Sequence, residues 1–171
     1  PRLDHHVPVG EADGERDGPG VPGVLDAAIG ARHHGYPCRF RRHALQTIRR
    51  HGPQVLDVPL DQDWLVVEVA REHLVNLRKQ GRRCKLIYTI VNFQNPSGPS
   101  LSLRRRRELI DLAHEYDTLI LEDDAYGELR FEGDHLPSLY ALDGGGRVMR
   151  AGTVSKILGA GFRLGWLCAP K

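Results

Sequence analysis

Two short apolar runs, KLIYTIV at 85–91 and TLILE at 118–122, constrain the fold of this chain more than any other feature. Each is rich in β-branched or long aliphatic side chains and bounded by polar residues. Each is also shorter than an ordinary helix. Runs of that kind read as strands buried on both faces. Between them, Ser102 to Tyr116 has a helical pattern, with Leu103, Leu109, Ile110, Leu112 and Ala113 on or near one face. The same alternation extends in both directions. HALQTIRRHG predicts a helix closing on Gly52, QVLDVPL a strand, and residues 64–80 a helix ending at Gly81. RVMRAGT (147–153) and RLGWLCA (163–169) predict two further strands. Strands alternating with helices give an α/β fold, a mainly parallel sheet flanked by helices. No internal repeat is visible.

Residues 1 to about 40 differ in composition from the remainder of the chain. Stretches such as VGEADGERDGPGVPG hold much Gly and Pro and few apolar residues at helical or strand spacing. A segment of that kind cannot bury enough surface to offset its chain entropy, so it is expected to be disordered or foreign to the fold. His5, His6, His33, His34 and Cys38 lie within it, and they read as solvated side chains, with no metal expected. The formal net charge of +2 supplies no basic face for a nucleic acid. Four consecutive arginines, Arg104 to Arg107, read as the wet face of an amphipathic helix. No run of 18 apolar residues exists, so no membrane span is expected. PRLDHHVPVG does not carry a secretory pattern. Three scattered cysteines, Cys38, Cys84 and Cys168, read as reduced thiols of a cytoplasmic protein.

Ligands of open α/β sheets bind beyond the carboxyl ends of the strands. Three polar clusters fall at such ends: Asn95-Pro96-Ser97-Gly98, Asp123-Asp124-Ala125-Tyr126, and Thr153-Val154-Ser155-Lys156 followed by Arg163. Alone, an Asn-Pro-x-Gly is a turn, a strand-end carboxylate is a helix cap, and a lysine is a surface residue. In this order and context, YTIVNFQNPSG, LILEDDAYGELRF and MRAGTVSKILGAGFRLGW resemble the fold-type I enzymes that use pyridoxal 5′-phosphate (PLP), in particular the class I/II aminotransferases. The resemblance runs from about residue 43 to the end. It is nearest to the subgroup acting on 2-aminoadipate and similar aliphatic or aromatic amino acids.

The resemblance implies a PLP cofactor, amino acid and 2-oxo acid substrates, and a homodimer for the full-length form, with no nucleic-acid or membrane partner. It assigns Lys156 as the amine that joins the cofactor aldehyde and moves protons at the substrate carbon, work a lysine does when burial or cationic neighbours lower its pKa. Asp123 is matched to the carboxylate that keeps a proton on the ring nitrogen. Asn95 and Tyr126 are matched to the donors on the ring's phenolic oxygen. Thr153, Ser155 and Arg163 are matched to the phosphate. Lys156, Asp123 and Tyr126 are the expected catalytic residues.

The resemblance also makes the chain a partial large domain, residues 41–171, of a longer protein. A phosphate-binding loop and a ring-stacking aromatic are expected upstream, and a small domain with a carboxylate-gripping arginine downstream. A truncated or frameshifted reading frame is the expected origin. Three other readings are the PLP-binding half of an aminotransferase-like transcription regulator, which usually differs at the Asn95 position and in the Asp/Tyr spacing, a PLP lyase or decarboxylase, which would share every residue named, and a non-functional remnant.

Overall fold

A computed structural model describes residues 27–32, 46–94 and 98–170. Its centre is a seven-stranded sheet. The strands in chain order are β1 (Ala27–Arg32), β2 (Gln54–Asp61), β3 (Trp64–Leu65), β4 (Cys84–Ile90), β5 (Leu119–Asp124), β6 (Val148–Thr153) and β7 (Gly165–Cys168), arranged β3-β2-β1-β4-β5-β6-β7 across the sheet. The five inner strands run parallel, and β3 and β7 run antiparallel to their neighbours. The helices α1 (Val67–Lys79), α2 (Leu103–Glu115) and the short α3 (Leu139–Asp143) lie between strands, and residues 46–50 are helical ahead of β2. This is the α/β class expected from the alternation.

The core forms where the apolar faces of α1 and α2 meet the sheet. Ala70, Leu74 and Leu77 of α1 and Leu109, Leu112 and Ala113 of α2 pack with Ile87, Ile120 and Val148 of the strands. The Ser102 side chain accepts from the Arg105 amide and starts α2, satisfying a backbone donor that the helix itself leaves open. Gly52, at φ 84°, closes the helical turn at 46–50, where a side chain would strain the left-handed backbone.

Three expectations need correction. Ala27–Arg32 belongs to the stretch expected to be disordered or foreign, yet it is β1, paired in parallel with β2 on one side and β4 on the other. A six-residue run among Gly and Pro has little local signal. Its stability comes from two hydrogen-bonded ladders that composition does not display. The rest of residues 1–40, with the two His pairs and Cys38, lies outside the described residues.

The helix expected over 64–80 begins only at Val67, because Trp64 and Leu65 turn back along β2 as β3. Trp64 takes φ 86° there, an uncommon backbone for a large residue. Finally, the arginine run is a wet face only at Arg104 and Arg107. Consecutive helical residues are about 100° apart, so four of them sweep most of the circumference and two must face the protein. Arg105 forks onto both Asp61 oxygens (2.5 and 2.6 Å) and reaches the Trp64 and Leu65 carbonyls at 3.1 Å, clamping the β2–β3 hairpin to α2. Arg106 is fully buried and donates to the carbonyls of Leu101, Pro137 and Val91 and to Asn92 Oδ1. Guanidinium groups enter interiors in this way, when most N–H donors meet an acceptor.

Candidate active site

The carboxyl ends of β4, β5 and β6 open onto a cavity of about 420 Å³. It is lined by Ile90, Asp123, Ala125, Tyr126, Thr153, Ser155, Lys156, Ala160, Arg163, Leu164 and Gly165. Six of the seven residues singled out from sequence therefore face one space. The seventh, Asn95, lies outside the described residues.

Each side chain arrives by a local device. β5 ends in Asp123-Asp124, and strand alternation sends neighbours to opposite faces, so Asp123 meets the cavity while Asp124 turns away. Ile90 pairs in register with Asp123, so Tyr88, two residues earlier, shares its face. The Tyr88 hydroxyl donates to Asp123 Oδ2 at 2.6 Å. Burial pushes the Asp123 carboxyl above the usual range, the Tyr88 hydrogen bond pulls it back, and nearby Asp124 pushes it up again.

On the other face, Asp124 accepts from Asn92 Nδ2 (3.0 Å) and from Arg150 (2.5 Å). Arg106 holds Asn92 Oδ1 at 2.7 Å. This Arg106–Asn92–Asp124–Arg150 chain fixes the end of β5 against the end of β4.

After β6, Thr153 folds the chain into a 3-10 turn at Val154–Lys156. Its Oγ1 accepts from the Ser155 amide at 3.1 Å. The single Thr153 hydroxyl proton lies within reach of the Leu164 carbonyl (3.0 Å) and Ser155 Oγ (2.9 Å). Thr153 is thus committed mainly to its own loop, whereas Ser155 keeps an O–H for an outside acceptor. The turn ends at Lys156, whose Nζ lies 5.8 Å from the Tyr126 ring centroid. Arg163 follows a second 3-10 turn, Ala160–Phe162, and takes a left-handed φ of 52°. Gly152 makes the approach of β7 possible: a Cβ there would meet the Trp166 ring at 2.1 Å. Trp166 pairs with Gly152 and Gly165 with Thr153, so this contact sets the far wall of the cavity.

The sequence reading missed Tyr88, Asn92, Arg106 and Arg150. Tyr88 sits inside an apolar strand, and only the β4–β5 register shows that it shares a face with Asp123. Among the described residues no group of His, Cys, Asp and Glu could hold a metal ion, and no helix is long and apolar enough to cross a membrane.

The family model for aminotransferase class I and II matches residues 46–171. Aromatic-amino-acid aminotransferase 1 of Thermococcus litoralis is 44% identical over 126 residues, which cover 74% of this chain and 30% of that protein. The solved kynurenine aminotransferase of Pyrococcus horikoshii, in complex with PMP, superposes with a TM-score of 0.75 at 41% identity, over 84% of this chain and 34% of that one. LysN, the alpha-aminoadipate aminotransferase of Thermus thermophilus complexed with N-(5′-phosphopyridoxyl)-L-leucine, gives 0.71 at 31% identity, over 85% and 36%. The chain thus spans 30–36% of the lengths of these proteins. With the fold, the cavity and these matches in agreement, the chain belongs to the class I and II aminotransferase family.

Proposed function

We propose that this segment supplies the cofactor half of a PLP-dependent aminotransferase, moving an amino group between an amino acid and a 2-oxo acid in the full-length protein. One observation carries the reading: a primary amine, a carboxylate, a phenol, a hydroxyl and a guanidinium, from the end of β5 and the loop after it and from the β6–β7 connection, face one cavity of about 420 Å³. That volume suits a small-molecule site, and the donor set matches a pyridine ring bearing an aldehyde, a phenolic oxygen and a phosphate. The relatives fit as well, since two of the proteins compared are named for aromatic amino acids and alpha-aminoadipate. An aliphatic or aromatic amino acid is the proposed substrate, and a cytoplasmic homodimer the proposed form.

When bound, PLP supplies an electron sink for charge developing at the substrate carbon. The protein's residues do the rest. Asp123, anionic, holds a proton on the ring nitrogen. Tyr126, with Asn95, donates toward the phenolic oxygen. Arg163 and the Ser155 hydroxyl grip the phosphate, while Thr153 shapes the loop that presents them. Lys156 would hold the cofactor through its amine, and as a free amine it would carry a proton to or from the substrate carbon.

Borohydride reduction of the full-length protein with PLP, followed by peptide mapping, tests the assignment. A stable pyridoxyl adduct on Lys156 is expected, and none in Lys156→Ala, which keeps weaker noncovalent binding through Asp123 and Arg163. An adduct mapped to a different lysine overturns the reading.

A further inference from the structure

Tyr88 is 6% exposed, inside β4, and no part of the chemistry above uses it. Its hydroxyl nevertheless ends on Asp123 Oδ2 at 2.6 Å, and it is the hydrogen-bond donor that Asp123 has among the described residues. Asp123 itself lines the cavity. Next to it in the chain stands a second carboxylate, Asp124, so an anion on Asp123 is disfavoured by burial and by a like charge together. A phenol donating to a carboxylate favours the ionised form and fixes the rotation of the group.

We propose that Tyr88 is a positioning residue for Asp123: its phenol occupies one carboxylate oxygen from the sheet side, holding the anion in place and leaving the second oxygen for a ring N–H in the cavity. This rests on the cofactor reading above. Tyr88 touches no reacting atom and acts only through Asp123. The physical demand is specific. A carboxylate that keeps its own proton at neutral pH cannot hold a second one on a pyridine nitrogen, so the site needs a donor that lowers the carboxyl without adding a competing positive charge. A buried phenol does that, whereas a guanidinium in the same place would repel the protonated ring.

The test compares binding of PLP with binding of its analogue in which the ring nitrogen is replaced by C–H, across pH 5.5 to 9, in the full-length protein. Wild type is expected to prefer PLP, with the preference rising as Asp123 ionises. Tyr88→Phe keeps the shape and removes the donor. It should lower the preference about tenfold near neutral pH and move its midpoint up by about one pH unit, the size of one hydrogen bond to a charged group. Affinity for the analogue should stay at the wild-type value, which damage to the fold would not allow. Incorporating 3-fluorotyrosine at position 88, a stronger donor of the same shape, should move the midpoint down, and this arm decides the matter if Tyr88→Phe does not fold. Unchanged preference and midpoint in both variants, with the preference abolished in Asp123→Asn, would overturn the role of Tyr88 while leaving the cofactor reading intact. A wild-type protein with no preference for PLP over the analogue overturns both.

Discussion

Asp123 and Asp124 are neighbours at the end of one strand, yet they occupy different kinds of surroundings. Asp124 is buried behind the sheet end, with Asn92 and Arg150 on its two oxygens and Arg106 braced behind Asn92. Among the described residues Asp123 has one phenol on one oxygen, and a cavity lies before it. The rear cluster is bonded within the fold at every carboxylate and amide atom named here, as buried polar groups usually are. Within it, only Arg150 Nε has no acceptor among the described residues. The front carboxylate instead lines the cavity with Tyr126, Ser155, Lys156 and Arg163. The general lesson is that a buried, bonded network can sit one residue away from a cavity-lining carboxylate and hold it in shape.

The strongest way to break the comparison is to remove the rear brace. Arg106→Leu strands the Val91, Leu101 and Pro137 carbonyls and frees Asn92 from one side. A loss of about 3 kcal/mol or more is expected, read as a fall in the urea midpoint. Lys156→Ala, on the open side, should change stability by less than about 0.5 kcal/mol, since exposed substitutions away from such networks have little effect. Equal losses in the two variants would erase the distinction between the regions.

A pH series sharpens it. Glu122 is fully buried on the rear side and accepts from the amides of Leu139 (3.1 Å) and Tyr140 (3.0 Å) at the start of α3. Burial raises its carboxyl above the ordinary 4.5, although these two amides oppose the shift. A raised carboxyl binds its proton more tightly folded than unfolded. Stability therefore falls as pH rises from about the unfolded value through the folded one. Asp123 is shifted in the same direction and adds to this slope. Glu122→Gln should cost about 1 kcal/mol near pH 5, where one amide loses its acceptor, and the deficit should shrink toward pH 8 as the wild-type charge appears. Parallel stability curves for the two proteins across that range would refute the attribution to Glu122.

The smallest effect is expected within the arginine run. Arg104 is exposed and pairs with Glu108 at 2.6 Å, one helical turn away. Arg104→Ala should cost no more than about 0.5 kcal/mol, whereas Arg105→Ala, which unties the bidentate contact with Asp61 and two backbone carbonyls, should cost about 2 kcal/mol. Thermal denaturation of the pair measures the difference, and similar midpoints would mean that the clamp on the β2–β3 hairpin carries no weight.

What the sequence determined by itself was the alternation of strands and helices and the polar clusters at the strand ends. KLIYTIV and TLILE are mainly apolar, and that pattern is local and readable, although β4 is buried more evenly than β5, which alternates between buried and half-buried positions. Asp123, Tyr126, Ser155, Lys156 and Arg163 were singled out because they stand at or beyond strand ends in an order that resembles a known family, and the structure shows that they line one cavity. Tertiary structure alone decided three further matters. β1 was hidden, since a strand of small residues owes its place to the neighbours on either side. Arg105 and Arg106 were taken for solvated residues, since which part of a helix faces inward depends on carbonyls contributed by 61–65, 91–101 and 137. Tyr88 passed for core, because its partner lies 35 residues along the chain and meets it only when two parallel strands settle into register. Periodicity records whether a position is buried. Which polar group awaits it there is written in the pairing of distant segments.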